Sequence, residues 1–243
     1  MKEIAVLFSG GPDSTLAALY ALQKADRVHL ITYHHRLMSH DKLISGKPKS
    51  SAVVQELTKN YGRSRIVVFN QDIWELFKKI YFHNIFISLQ NYGSFCIPWI
   101  CGACKLAMHV KSIEYDLKNN IQTTYDGSNK ESAAVFPAQN KNYIRIMQEL
   151  YESYGMTYDT PVYDIENTDI KTEEFGLESC KGTKQEHVFF STQHSCFSGL
   201  LLHLHSRLYY KLMRKSYLFE ELTSKVLSAK IDELKTLLPN KPQ

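Results

Sequence analysis

The stretch SGGPDS, residues 9–14, lies between an apolar run, IAVLF, and a segment with the pattern of a helix, TLAALYALQK. The apolar run predicts a buried strand, and the glycines, proline and serines that follow it predict a turn. A turn of small residues lets backbone N–H groups approach an anion closely, and the start of the next helix adds partial positive charge. The stretch therefore has the composition of an anion-binding turn.

The polar side chains of this turn suit phosphate chemistry. Ser9 and Ser14 carry hydroxyl groups that can donate hydrogen bonds to phosphate oxygens. Asp13 cannot donate when it is ionised, so beside phosphates its natural role is to hold a magnesium ion, directly or through water. On the glycines alone, an ordinary strand-to-helix turn with helix-capping residues is the alternative.

Strand and helix patterns alternate along the rest of the chain. Further strands are predicted at residues 28–35 and 65–69 and from residue 121 onward. Helices are predicted at residues 50–62, 105–120 and 142–155, with one or two more between residues 72 and 95. This alternation predicts an α/β fold with a doubly wound parallel sheet.

The C-terminal part, residues 197–238, has the pattern of two helices. One of them carries an apolar stripe of Val226, Leu227, Ile231, Leu234, Leu237 and Leu238. Such a stripe predicts a helix that packs on the core or on a second subunit, so a homodimer is one expectation. We predict a nucleotide-binding domain at residues 1–199 and a helical extension of the same domain at residues 200–243.

The composition bounds the class of protein. The chain has 243 residues, of which 44% are hydrophobic, so it can bury a core and is not predicted to be disordered. No signal peptide or membrane span is predicted, which favours a soluble cytoplasmic protein. The formal net charge of +4 permits a nucleic-acid partner without requiring one.

The complete string at residues 9–14 resembles the SGGxDS signature of the PP-loop ATP pyrophosphatases, and it stands in the same place between the first strand and helix. The lysine of a Walker loop is absent. The resemblance implies that ATP is cleaved between its α and β phosphates, AMP is transferred to a substrate oxygen, and pyrophosphate is released. It also implies that Ser9, Gly10, Gly11, Asp13 and Ser14 grip the pyrophosphate, with Asp13 and Ser14 as catalytic candidates.

Two further stretches match nucleotide-site positions of this family. YDGSN, residues 125–129, resembles the family's later strand-end motif, which makes Asp126, Gly127, Ser128 and Asn129 candidates for the nucleotide site. Tyr33 and His34 match the position at the end of the second strand, where adenine usually sits in the family. The alternatives are a connecting Asp-Gly turn and the plain start of a loop.

The cysteines predict a metal site. Cys101 and Cys104 form the motif CGAC, and Cys180 and Cys196 supply a second pair in polar surroundings. Four thiolates suit tetrahedral zinc, whereas Cys96 stands among apolar neighbours and is expected in the core. The alternative is a set of separate buried thiols. The histidines are given no ligand role.

Two branches of the family share features with this chain. Residues 160–184 resemble the region of 7-cyano-7-deazaguanine synthases that leads into their zinc-binding cysteines. CGACK, which ends in Lys105, resembles PP-loop sulfurtransferases, including tRNA thiolases, in which a cysteine carries persulfide sulfur or binds an iron–sulfur cluster. Lys105 is the third catalytic candidate.

The first branch implies an adenylating enzyme that activates a carboxylate or a nucleobase carbonyl for attack by nitrogen, with ATP, Mg²⁺ and Zn²⁺ as cofactors. The second implies a thiolase that acts on tRNA or a small molecule. A non-catalytic nucleotide-binding protein is the third alternative. The modest net charge favours the adenylating enzyme over the tRNA thiolase.

Overall fold

The computed structural model of the chain describes residues 1–36, 49–83, 85–93, 99–133, 136–177 and 216–234. Of the helices in these ranges, none has both the length and the apolar composition that crossing a bilayer requires.

A parallel sheet forms the centre of the described residues. Its strands are β1 (Glu3–Leu7), β2 (Arg27–His34), β3 (Ile66–Asp72), β4 (Thr123–Asp126) and β5 (Thr157–Asp159). All neighbouring strands pair in parallel, in the order β3-β2-β1-β4-β5. The predicted parallel sheet is therefore confirmed. β5 was not predicted, because its three residues are too few to show a periodic pattern.

The helices cover both faces of this sheet. They are α1 (Pro12–Lys24), α2 (Lys49–Tyr61), α3 (Trp74–Phe82), α4 (Ile85–Tyr92), α5 (Trp99–Asn119), α6 (Lys130–Ala133), α7 (Lys141–Glu152), α8 (Thr168–Glu174) and α9 (Ser216–Glu233). Apolar residues of α1 and α2 pack on one face, and those of α3, α5, α7 and α9 belong to the cluster on the other. The fold is thus doubly wound, as the alternation of strands and helices predicted.

From Ile4 onward, the sequence of β1 is apolar without interruption because the strand is buried on both faces. Ile4 and Val6 belong to the cluster that contains α1, whereas Ala5 and Leu7 belong to the cluster that contains α5. Successive side chains of a strand point to opposite faces, so a strand buried on both faces reads as a continuous apolar run.

α5 begins at Trp99, earlier than the helix predicted from Lys105, so the CGAC motif lies inside the helix and not before it. The cause is packing. The ring of Trp99 is buried and lies over Gly102, where a Cβ would stand 2.4 Å from the ring. The hydroxyl of Tyr143 also donates to the Gly102 carbonyl, at 3.0 Å. Neither contact leaves a capping signal in the sequence.

α9 packs against α7. Val226, Leu227 and Leu234 are buried, so in this part of the stripe the expected packing on the core is confirmed. Residues 197–215, Leu237 and Leu238 lie outside the described residues. The homodimer and the division at residue 199 remain predictions.

The strand order places the predicted site. β1 pairs with β2 on one side and with β4 on the other, so the chain order reverses between β1 and β4. In open parallel sheets, ligands bind at such a switch point, outside the carboxyl ends of the strands. The turns that follow β1 and β4 are SGGPDS and DGSN, and both leave from this edge.

Candidate functional site

The SGGPDS turn is held by its own hydroxyl groups. The Oγ atoms of Ser9 and Ser14 are 3.1 Å apart, and the Ser14 hydroxyl donates to the Gly11 carbonyl at 3.1 Å. Gly10 has φ of 80°, a left-handed conformation that favours glycine. Gly11 precedes α1 and offers no capping side chain, so this helix start has the form of an anion site.

Gly127 brings the second turn into contact with the first. A Cβ on this residue would stand 2.5 Å from the backbone nitrogen of Ser14 and 2.8 Å from the carbonyl carbon of Asp13. Only glycine allows two backbones to approach this closely. The predicted neighbourhood of SGGPDS and DGSN is therefore present in the structure.

Asp13 receives donors from two distant parts of the chain. The amide of Asn129 donates to Oδ2 at 2.6 Å, and the hydroxyl of Thr168 donates to Oδ1 at 2.5 Å. Asn129 itself is fixed by its neighbours, because its backbone N–H donates to Gln139 and its side-chain oxygen accepts from the N–H of Ser132. The Asp13 carboxylate thus has a defined orientation.

Asp126 is the centre of a second cluster. Its Oδ2 atom accepts from Lys105 at 2.6 Å, from Ser128 at 2.9 Å and from the Tyr158 hydroxyl at 2.6 Å. Lys105 also donates to the Ser128 hydroxyl at 2.5 Å. The structure therefore joins Lys105, which follows CGAC in sequence, to the DGSN turn.

The charge on Asp126 is set by this cluster. Burial would by itself raise the pKa of the carboxyl group, but the positive charge of Lys105 and the donated hydrogen bonds hold that pKa below its usual value. Asp126 is therefore ionised at neutral pH. Burial raises the pKa of the Tyr158 hydroxyl well above its usual value, so Tyr158 remains a donor.

Tyr33 and His34 line the cavity beside the turn, at the end of β2. The Tyr33 hydroxyl is engaged with Ser112 of α5 at 2.9 Å, and burial raises its pKa. The side chain of His34 is 41% exposed and lies 3.9 Å from the carboxylate of Asp72. Their contact with adenine remains a prediction.

The thiols of Cys101 and Cys104 line the same cavity. The Nε2 atom of His35 lies 3.2 Å from the Cys104 sulfur, and the imidazole stacks on Phe77 with ring centroids 4.5 Å apart. Burial lowers the pKa of His35 to about 4, although Asp72 opposes this, so the ring is neutral at pH 7. A neutral ring nitrogen can accept a hydrogen bond from the thiol.

The cavity that these residues line has a volume of about 440 Å³. This lies within the range of small-molecule sites, about 300–1,000 Å³. The polar groups share the lining with apolar side chains, which include Ile100, Met108 and Phe136. Polar groups in an apolar cavity are typical of a ligand site.

The carboxylates of Asp13 and Asp126 fit a magnesium ion bound together with nucleotide. Both line the cavity, and carboxylate oxygens are ligands that Mg²⁺ prefers. Mg²⁺ in nucleotide sites is commonly held by one or two carboxylates together with phosphates and water. Within the described residues, no group of three or more histidine, cysteine, aspartate or glutamate side chains is placed to hold a metal.

The predicted four-cysteine site falls partly outside the described residues. Cys180 and Cys196 lie outside the described residues, and so does Cys96. Within the described residues, Cys101 and Cys104 form no disulfide. Zinc, or an iron–sulfur cluster in its place, remains a prediction.

Three residues at this site carry no role in the sequence analysis. Thr168 and Tyr158 bond to the two aspartates, and His35 bonds to Cys104. Thr168 is separated from Asp13 by 155 positions, so no local pattern connects them. Tyr158 lies on β5, the strand that was missed.

No family model and no curated protein matches this sequence. Among solved structures, the fold is similar to that of a 4-thiouridine synthetase in complex with RNA and with bound ATP. The TM-score is 0.55, the identity is 14%, and the match covers 93% of this chain and 53% of that one. The chain thus spans about half the length of that protein. This likeness confirms the predicted α/β fold with a doubly wound parallel sheet.

Two more distant structures were also found. One is a U34-tRNA thiolase, NcsA, from Methanococcus maripaludis with its [4Fe-4S] cluster, at TM-score 0.44 and 16% identity, covering 93% of this chain and 72% of that one. The other is an NMN synthetase from Francisella tularensis, at TM-score 0.38 and 12% identity, covering 88% and 87%.

Proposed function

We propose that this chain is an ATP-dependent adenylating enzyme that cleaves ATP to AMP and pyrophosphate. The observation that carries the proposal is the meeting of the SGGPDS and DGSN turns beside one cavity, with the Gly127 backbone against Ser14. An acceptor oxygen would attack the α-phosphorus of ATP, and the bond from that phosphorus to pyrophosphate would break. A nucleophile would then displace AMP, which leaves with the acceptor oxygen.

In this proposal, the SGGPDS turn binds the departing pyrophosphate. Backbone N–H groups at the start of α1 and the hydroxyls of Ser9 and Ser14 are the donors. Donors that are already in place stabilise the charge that develops on the leaving group without further reorganisation. Asp13 and Asp126 would hold Mg²⁺, which neutralises phosphate charge when it is bound.

Lys105 would bind a phosphate oxygen in the same cavity. Its ammonium group has three donors, and the bonds to Asp126 and Ser128 use two of them. These bonds fix the position of Nζ beside the ionised Asp126. The arrangement supports Lys105 as one of the predicted catalytic residues.

A second candidate for the nucleophilic step is sulfur transfer. The observation that favours it is the presence of Cys101 and Cys104 in the lining of the cavity that the SGGPDS turn also lines. Sulfide in this cavity would attack the adenylated carbonyl carbon of a nucleobase, in tRNA or in a small molecule. AMP would leave with the carbonyl oxygen, which sulfur replaces. The nitrogen-transferring, deazaguanine-synthase-like activity remains the other prediction, with a carboxylate as acceptor.

The test of ATP cleavage uses ATP labelled at the α-phosphate. The full chain is incubated with Mg²⁺ and with unmodified tRNA transcripts or a panel of carboxylic acids, and products are separated by chromatography. We expect labelled AMP, and its loss in Asp13→Ala. Asp26→Ala, which removes an exposed carboxylate bonded to the Lys2 backbone, serves as control. ADP as the main product contradicts the proposal, and binding without AMP favours a non-catalytic protein.

The same reaction distinguishes the two nucleophiles. Ammonium or sulfide is supplied in parallel, and mass spectrometry of the acceptor shows whether its oxygen is replaced by nitrogen or by sulfur. Under sulfur transfer, Cys104→Ser should reduce the product without reducing ATP binding. Equal product formation by the unmodified chain and by Cys101→Ser and Cys104→Ser would show that neither thiol takes part in the reaction.

A further inference from the structure

We propose that Thr168 is a positioning residue for Asp13. This inference rests on the proposed function, because it concerns the carboxylate that would hold magnesium beside ATP. The hydroxyl of Thr168 fixes one oxygen of that carboxylate while Asn129 fixes the other. A side chain from α8 thereby orients a group at the start of α1.

The hydroxyl of Thr168 is committed to Asp13. Thr168 is fully buried, and its Oγ1 donates to Asp13 Oδ1 at 2.5 Å. A buried hydroxyl needs a partner, because leaving it without one costs the desolvation of the group. The hydroxyl does not cap its own helix, since the N-cap of α8 is Asn167, which makes no side-chain cap bond.

The backbone before Thr168 supports this placement. Asn167 has φ of 53°, in the left-handed region, which asparagine tolerates better than most residues. This turn starts α8 where it packs against α1. The conformation and the packing together bring the hydroxyl to Asp13.

The two donors restrict the carboxylate in complementary ways. Donors on both oxygens fix the plane of the carboxylate, because rotation about its Cβ–Cγ bond would disrupt both hydrogen bonds. Partners that orient a metal-binding carboxylate typically affect metal affinity by about 10–100-fold. The effect of losing Thr168 should therefore appear in the magnesium-dependent part of ATP binding.

α8 supplies a matched control. Thr172 is also fully buried, but its hydroxyl donates to the Asp169 carbonyl within the same helix, at 2.7 Å. Thr168→Val and Thr172→Val remove the same atom from equally buried positions, so a general loss of stability affects both. Thr168→Ser keeps the hydroxyl and loses only a methyl group.

The experiment is calorimetric titration of the full-length protein with ATP, in Mg²⁺ and in a chelator. In Mg²⁺, we expect Thr168→Val to weaken ATP binding by about 10–100-fold, with Thr172→Val unchanged and Thr168→Ser close to the unmodified chain. In chelator, all four proteins should bind alike. Melting temperatures should fall in both valine variants, and further in Thr168→Val, because its lost hydrogen bond is to a carboxylate and that of Thr172→Val is to a backbone carbonyl.

Two outcomes would overturn the inference in different ways. If the unmodified chain binds ATP in a magnesium-dependent manner and Thr168→Val does so equally well, Thr168 has no positioning role, whereas the proposed function stands. If the unmodified chain shows no magnesium-dependent binding of ATP, the proposed function fails and this inference fails with it.

Discussion

Two buried carboxyl groups, one beside the start of β4 and one at its end, have opposite protonation. Asp126, at the end of β4, is ionised because Lys105 and its hydrogen bonds outweigh burial. Asp116, near the end of α5, is fully buried, and burial raises its pKa to about 8 against the bond from Thr124. Asp126 therefore presents a negative charge to the cavity, whereas Asp116 is a neutral group in the core.

The difference shows that burial does not by itself make a functional carboxylate. Within the described residues, Oδ1 of Asp116 has no hydrogen-bond partner, whereas Oδ2 of Asp126 has three donors. A buried charge persists where donors and an opposite charge replace water. The following experiments alter one member of the comparison at a time.

The largest effect should come from Lys105→Met, which leaves Asp126 buried without its cation. Breaking a buried pair costs about 3–5 kcal/mol, so unfolding in denaturant should occur at a markedly lower concentration. AMP formation should also fall, because the Asp126 pKa rises and a phosphate donor is lost. The control is Lys111→Met on the same helix, whose more exposed pair with Glu114 contributes about 0–1 kcal/mol. Similar losses in both variants would contradict the assignment.

The second effect concerns Asp116 and depends on pH. The pKa of this group rises from 3.8 to about 8 on folding, so between these values the folded chain binds a proton that the unfolded chain has released. Stability is therefore lost as pH rises through this window, by up to about 1.4 kcal/mol for each pH unit.

Asp116→Asn keeps the shape and cannot ionise. Denaturant unfolding at pH 5, 6 and 7 should show a smaller loss of stability with rising pH in this variant than in the unmodified chain. The control is Asp159→Asn, the same substitution at a half-buried position on β5. Identical slopes for all three proteins would show that Asp116 is ionised in the fold.

The smallest effect should come from removing one donor of Asp126. Tyr158→Phe deletes a hydrogen bond to a charged group and should cost about 1.5–3 kcal/mol, whereas Tyr143→Phe deletes a bond to the Gly102 carbonyl and should cost about 0.5–1.5 kcal/mol. Both tyrosines are buried, so the comparison isolates the acceptor. Equal costs, measured by denaturant unfolding, would show that Asp126 is neutral.

The comparison also shows how far the sequence could predict this site. The turn after β1 could be found because its glycines, its serines and its position after an apolar run are local signals. DGSN could be placed beside it because a parallel sheet brings strand ends to one edge. The opposite charge states of Asp116 and Asp126 could not be predicted, since they depend on residues that only the fold brings near.

Other parts of the site had no local signal at all. Thr168 reaches Asp13 because α8 packs on α1, and threonine near a helix start is ordinarily read as a capping residue. His35 reaches Cys104 across the cavity from the end of β2. The early start of α5 depends on the packing of Trp99 over Gly102. Each of these is a tertiary contact that sequence periodicity does not encode.

Gly127 also has a genetic consequence. Every other amino acid carries a Cβ, and at this position that atom would meet the Ser14 backbone at 2.5 Å. Even alanine, the smallest replacement, should therefore be poorly tolerated. In a library of all single substitutions selected for function, position 127 should hold a single permitted residue.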